Sequence, residues 1–345
     1  MISCSTAFRF KLIDERLADP NNQLTLAVLC DYAKVSKSGY YYWKDTEQKR
    51  DEREEKDKAD FDLILKIYQR RGYKKGARQI YMALLHLEVP VVMNVKKIRR
   101  LMHKFGLECP VRKANPYRKM MKATYENKIA PNLLDRRFNH YGPRTVFLTD
   151  ITYIPLYDKS ENKRFVYLSV MMDACTKEVM GYVVSNNLKE NFVLETVKQV
   201  LNKHKVSLSS ICLVHSDQGV HYTSGEFRQL LKDNKITQSM SRKGNCWDNA
   251  PQESFFGHMK DDLNDKLGKC RSTSQIKDEI DKWMVYYNTE RYQWGLAKLA
   301  PAEYYKFLTT GIYPLKTEQA PEIPEWKDAN ELLKKSNKCA EQTIL

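Results

Sequence analysis

The order of apolar runs between residues 146 and 240 constrains the fold of this chain most. Residues 146–154, 165–172 and 179–185 read as three strands in succession. A helical pattern over 191–204 follows, then a strand over 211–216, a helix over 225–233, a strand over 236–240 and a helix from Asp248. Three early strands followed by alternating helix and strand predict an α/β sheet with helices on both faces. Thr223 with Glu226 matches a capping box opening the 225–233 helix, and Pro251 suits the first turn of the last one.

Three carboxylates stand where such a sheet would aim them at one point. Asp150 ends the run Val146-Phe147-Leu148-Thr149, and Asp217 follows Ile211-Cys212-Leu213-Val214-His215-Ser216. Glu253 lies in the first turns of the proline-opened helix. Two carboxylates from strand ends and one from a helix can hold two divalent cations, which activate an attacking oxygen and stabilise the leaving oxygen of a phosphodiester. With 58 Lys+Arg against 43 Asp+Glu and a net charge of +15, the expected partner is a polyanion, DNA above all. Charge alone would equally suit a basic but ordinary enzyme.

The eight cysteines are scattered without a C-x-x-C pair, as in a reduced cytosolic protein. No run of 18 apolar residues suggests a membrane span. Arg9, Lys11 and Asp14 stand where a signal peptide would need its apolar core, so a bacterial cytoplasmic location beside the nucleoid is expected.

Five regions follow from composition. Residues 1–45 read as a helix-turn-helix-like module, with a stripe of Leu24, Leu26, Val28, Leu29 and Tyr32 and a turn at Val35–Trp43 that would lay Lys37, Ser38 and Tyr40 on DNA. Packing of that helical pair on another domain is the alternative. Residues 46–60 mix both charge signs and suit a solvated helical linker. Residues 61–125 form a second helical module: Asn94 is a plausible cap and Gly106 a plausible stop for a helix carrying Lys96, Lys97, Arg99 and Arg100 outward. Between Asn94 and Lys122 ten Lys/Arg face one Glu, and the part from Pro110, with Arg112 and Lys113, reads as a basic strap. Residues 126–310 hold the α/β domain, including a basic, glycine-containing loop with Arg242 and Lys243. Residues 311–345 read as a charged C-terminal tail.

Three blocks carry a resemblance. Leu148–Tyr153, His215–Ser224 and Ser239–Ala250 with Glu253 are similar to the catalytic blocks of insertion-sequence transposases of the IS-three type, a branch of the DDE superfamily shared with retroviral integrases. Tyr286–Arg291 and Pro301–Tyr304 resemble that family's C-terminal block, and the upstream helical stretches resemble its DNA-binding modules. The resemblance implies an RNase H-like core with a mixed five-stranded sheet, preceded by all-α helix-turn-helix modules. It implies that Asp150, Asp217 and Glu253 bind two Mg²⁺, with Mn²⁺ as substitute, and that Lys260 and Asn249 near the glutamate meet DNA. Seven residues return Lys260 to the helix face of Glu253, although a plain surface lysine would satisfy the same spacing. The histidines pair with no suitably spaced cysteines, so no zinc is expected; His215 and His221 suit supporting or DNA roles, since Mg²⁺ favours oxygen donors.

The activity implied is end-specific strand cleavage followed by attack of the exposed 3′-OH on another phosphodiester. Its partners would be terminal inverted repeats, target DNA, further copies of the chain and an upstream-frame protein, this chain resembling the downstream frame. The aromatic group Trp283, Tyr286, Tyr287 and Trp294 would either finish the core or pair protomers. A purely hydrolytic RNase H-like nuclease and a non-catalytic DNA-binding regulator are the competing classes. Joined-strand products would exclude the first, and metal-dependent cleavage the second.

Overall fold

The computed structural model describes residues 5–110, 130–157, 163–188, 191–242 and 246–344. The expected DNA-binding residues Arg112, Lys113 and Lys243 lie outside these. Six helices precede the sheet: α1 Thr6–Ala18, α2 Leu26–Tyr32, α3 Lys37–Asp45, α4 Glu47–Gln69, α5 Ala77–Leu85 and α6 Val95–Lys104. The chain divides into two compact units, one of residues 5–66 with Arg100–Leu107, the other of Ile67–Arg99 with the described residues from Glu108 onward.

In the first unit, α1 to α3 close over Phe10, Ile13, Cys30 and Tyr40, with Leu26, Leu29 and Trp43 partly buried around them. Ser36 caps α3, its hydroxyl accepting from Gly39 N at 3.0 Å. The helix after the expected turn is present, but Tyr40 is not available to DNA. It is buried, and its hydroxyl donates to Asp14 Oδ1 at 2.7 Å. Leu24, Val28 and Tyr32 are exposed, because α2 begins at Leu26 and turns Cys30 inward instead. Lys37 is exposed at the start of α3. The linker expected to be fully solvated belongs to α4 and buries Asp57. Arg100 grips that carboxylate through two bonds of 2.6 Å, Lys104 adds a third at 3.0 Å, and together they hold it far below the usual carboxylate range. Arg100, expected to face DNA, is thus committed to an ion pair.

In the second unit the strands are β1 Val146–Tyr157, β2 Lys163–Asp173, β3 Val179–Ser185, β4 Cys212–Ser216 and β5 Ile236–Met240, in the order β3-β2-β1-β4-β5. β1 to β3 pair antiparallel, while β1–β4 and β4–β5 are parallel, which makes the expected mixed five-stranded sheet. Helices α7 Asn191–His204, α8 Val220–Thr223 and α9 Gly225–Asp233 alternate with the later strands. After β5 come α10 Ala250–Leu267, α11 Thr273–Thr289, α12 Pro301–Thr310 and α13 Asn330–Ile344. One core joins Leu148, Leu168 and Val170 to Phe255, Met259, Trp283 and Tyr287; a second joins Phe147 and Val214 to Val197, Phe227 and Leu231. Each sheet face thereby removes a continuous apolar layer from water.

Three expectations change here. The cap of α9 is Ser224, whose hydroxyl accepts from Phe227 N at 3.2 Å, not Thr223, whose hydroxyl turns to Val220 O. Ser224→Ala should therefore cost about 1 kcal/mol in denaturant unfolding, and Thr223→Ala distinctly less. Residues 67–99, within the expected second helical module, also pack on the α/β core: Tyr73 lies tilted against Tyr286 with ring centres 4.5 Å apart, and Leu85 packs with Leu299 and Phe307. Nor are residues 311–344 merely a tail, since Leu332 is fully buried in the first core and Trp326 covers Gly142. Trp283, Tyr286 and Tyr287 are core residues, which leaves Trp294 as the exposed member of that aromatic group.

Candidate active site

The parallel β1–β4 pairing ends with Leu148 beside His215; Asp150 and Asp217 each lie two residues beyond that pair, and the charge of Asp217 acts on Asp150. Parallel pairing thus brings together two carboxylates 67 positions apart in sequence. α10 packs on β1 with Glu253 in its first turn, while Lys260 lies two turns on along the same face.

Backbone amides hold the two aspartates. Asp150 Oδ1 accepts from Ile151 N at 2.7 Å, and Asp217 Oδ1 from Gly219 N at 2.8 Å. A β-carbon on Gly219 would lie 2.9 Å from that same Oδ1, so the close turn requires glycine. Burial pushes the Asp150 carboxyl up to about 7. Asp217 and Glu253 push the same way through their charges, against the Ile151 amide and Lys260. Burial also raises Asp217, opposed by the Gly219 amide and by His221. The three expected carboxylates and Lys260 therefore share one electrostatic field. Among the described residues no three His, Cys, Asp or Glu side chains close into a metal-binding cluster.

A second layer braces them. His215 is fully buried, with Nδ1 2.9 Å from Ser239 Oγ and Nε2 3.1 Å from Ser241 Oγ; burial lowers it to about 4, so it is neutral at physiological pH. Both ring nitrogens are thus used to tie β4 to β5. The buried Tyr222 hydroxyl sits 3.4 Å from Thr149 Oγ1, beneath the two aspartates. Asn249, expected to contact DNA, is buried instead, and its amide turns toward the Thr149 carbonyl at 3.5 Å.

Asp248 carries a role that its sequence setting did not reveal. Fully buried, it accepts from Arg136 Nε at 2.8 Å, from Asn132 Nδ2 at 2.9 Å, and from Arg242 through Nε at 2.9 Å, a terminal nitrogen at 3.0 Å and the backbone N at 3.0 Å. These donors hold its carboxyl far below the usual range. The side chain of Arg242, expected on DNA, is half-exposed but engaged here. Asp248 ties Arg242, where β5 has just ended, and the Asn132–Arg136 segment to the base of α10, one turn before Glu253. An acidic residue between a basic loop and a helix start was the available signal; which arginines meet it depends on tertiary structure.

With this geometry in place, comparison with known proteins gives a consistent result. Residues 140–246 and 234–301 match two family models, each described as an integrase core domain, and residues 54–115 match an HTH-like domain. The chain is 33% identical over 279 residues to the putative transposase InsK for insertion sequence element IS150 of Escherichia coli, covering 79% of this chain and 90% of that protein. It is 32% identical over 220 residues to the transposase for insertion sequence element IS904 of Lactococcus lactis, covering 63% of this chain and 82% of that protein. Among solved structures, the catalytic core domain of BIV integrase aligns with 47% of this chain and 94% of its own, at 20% identity and a TM-score of 0.37. No helix among the described residues is long and apolar enough to cross a membrane.

Proposed function

The chain belongs to the insertion-sequence transposases of the IS-three type, and we propose that Asp150, Asp217 and Glu253 are the carboxylates through which it cleaves and joins DNA strands. The observation that carries this reading is that the charges of Asp217 and Glu253 both act on the buried Asp150 carboxyl, two residues beyond the last β1–β4 pair. Asp150 is pushed up to about 7 first by burial and then by the charges of Asp217 and Glu253, and a hard divalent cation such as Mg²⁺ or Mn²⁺ would supply the positive charge that favours its ionised form. Two such ions, when bound, would lower the pKa of an attacking water and neutralise charge on the leaving oxygen.

The chain's own residues supply position. The Ile151 and Gly219 amides fix one oxygen of each aspartate, leaving the others to face the reacting phosphate. Lys260, on the Glu253 face, is placed to meet a backbone phosphate and hold the strand in line. His215, with both nitrogens engaged by serine hydroxyls, is read as a supporting residue that ties β4 to β5 and the segment after it. One site would serve hydrolysis at a transposon end and then attack by the freed 3′-OH. The test is a labelled end duplex incubated with target plasmid: joined-strand products support transposition, whereas nicks without joining favour the hydrolytic nuclease.

End recognition is proposed for the helical regions before the sheet. Lys96 and Arg99 are exposed on α6, with Lys97 half-buried beside them. Replacing all three with alanine should flatten the dependence of log K on log salt by about 0.9 for each phosphate no longer neutralised, measured by fluorescence anisotropy on end DNA. Arg100→Ala, by contrast, should leave that slope unchanged, because its guanidinium is committed to Asp57. An unchanged slope in the triple variant would place this face away from DNA. Pairing of two ends by a closed homo-oligomer, and an upstream-frame partner, complete the reading; with Trp283, Tyr286 and Tyr287 buried, that aromatic group is not the pairing surface.

A further inference from the structure

On the side of α10 turned away from Glu253 and Lys260 lies a cavity of about 130 Å³, roomy enough for a tetrahedral oxyanion. Its polar lining comes from Lys177, Ser254, His258, Tyr287, Arg291 and Gln293, and among the described residues no carboxylate lines it. Arg291 is nearly buried, and its Nε donates to Asp262 at 3.4 Å. Lys177 stands in the β2–β3 turn with left-handed backbone, φ 61°, its ammonium steadied by the Ala174 carbonyl and by Asn139 Oδ1 at 3.3 Å. Gln293 Nε2 is buried, close to Tyr287 without closing a hydrogen bond to it, and finds no acceptor among the described residues.

A buried amide donor without an acceptor carries a cost of about 1–3 kcal/mol unless something fills the place. Here that donor shares a cavity with two cations and a histidine. Burial depresses Lys177, whereas burial and then the Arg291 charge depress His258. Asp262 and the buried Asp173 lie behind Arg291 and Lys177 and moderate this charge.

We propose that this cavity is a phosphate-binding site, held by Lys177, His258, Arg291 and the Gln293 amide. A DNA backbone phosphate or a free phosphate ion would present the same chemistry. The proposal goes beyond the catalytic reading and uses none of its three carboxylates. Seated there, a phosphate would join the β2–β3 turn to the outer face of the helix that carries Glu253.

The full-length chain and its Lys177→Gln and His258→Gln variants are compared by thermal shift, with inorganic phosphate titrated at constant ionic strength against chloride. Circular dichroism checks that both variants fold. Phosphate should stabilise the wild type, and each variant should need about tenfold more for the same shift, as for loss of one charge-assisted hydrogen bond. Acetylation of Lys177, read by mass spectrometry, identifies the source. Protection by an end duplex but not by free phosphate assigns the site to the DNA backbone, whereas protection by free phosphate alone assigns it to the ion. Equal phosphate shifts in all three proteins would overturn the proposal. So would a wild type that responds to phosphate no more than to chloride, with Lys177 protected by neither ligand.

Discussion

Asp217→Asn should cut strand cleavage and strand transfer by about a thousandfold, equivalent to about 4 kcal/mol of transition-state stabilisation, while end-DNA affinity changes little. Asp217 is a carboxylate whose charge acts on Asp150, and asparagine keeps its size and its ability to accept from Gly219 N. Fold and turn should therefore survive, and the loss falls on the chemistry. Affinity for DNA resides mainly in basic residues elsewhere, so gel shifts should hardly move. Cleavage near the wild-type rate would remove Asp217 from the catalytic set, and loss of binding in step with cleavage would mean that the substitution had disturbed the fold.

Asp248→Ala should give the largest stability effect outside the apolar core. The carboxylate is fully buried and receives five hydrogen bonds, whereas Arg136 and Arg242 are about half exposed and can be rehydrated. That exposure reduces the expected cost to about 2–3 kcal/mol, or a fall in Tm of roughly 4–10 °C. The sign with pH follows from the clamp. A carboxyl held below its unfolded value contributes fully at neutral pH, and its contribution fades only as pH falls below about 4 toward the depressed value. The variant should accordingly lose most stability at neutral pH and approach the wild type in acid. Cleavage should fall as well, since the clamp fixes the base of the helix carrying Glu253; Arg242→Ala on top of Asp248→Ala should add little. A Tm within a degree of wild type at neutral pH would show that the clamp contributes nothing.

The catalytic domain was legible because its sheet is built from apolar runs bounded by polar turns, a local signal. The order of strands and helices, Pro251 at the start of α10, Asp217 just after β4 and Glu253 on a helix could be read in this way, whereas Asp150 lies inside β1 and not at a strand end. What escaped was set by tertiary contact. Asp57 lies in a run of mixed charges that reads as solvated, and only the approach of Arg100 and Lys104 buries it. Residues 67–99 resemble the helices before them, yet Tyr73 finds its partner in Tyr286, more than two hundred positions away. Asn249 looked like a residue for DNA because it precedes Glu253 by one turn; its burial depends on how α10 lies on β1. Leu332 is a single apolar position in a charged stretch, too sparse to mark a core contact in advance.

The central claim, direct in-line attack by a 3′-OH at a carboxylate centre, is tested most directly by stereochemistry at phosphorus. An end substrate is allowed to join a target carrying a phosphorothioate of known configuration at the reacting position, and the configuration of the joined product is determined. A single in-line displacement predicts inversion. Retention would require a covalent protein–DNA intermediate on a serine or tyrosine, and would contradict the assignment of Asp150, Asp217 and Glu253 as the centre that joins the strands.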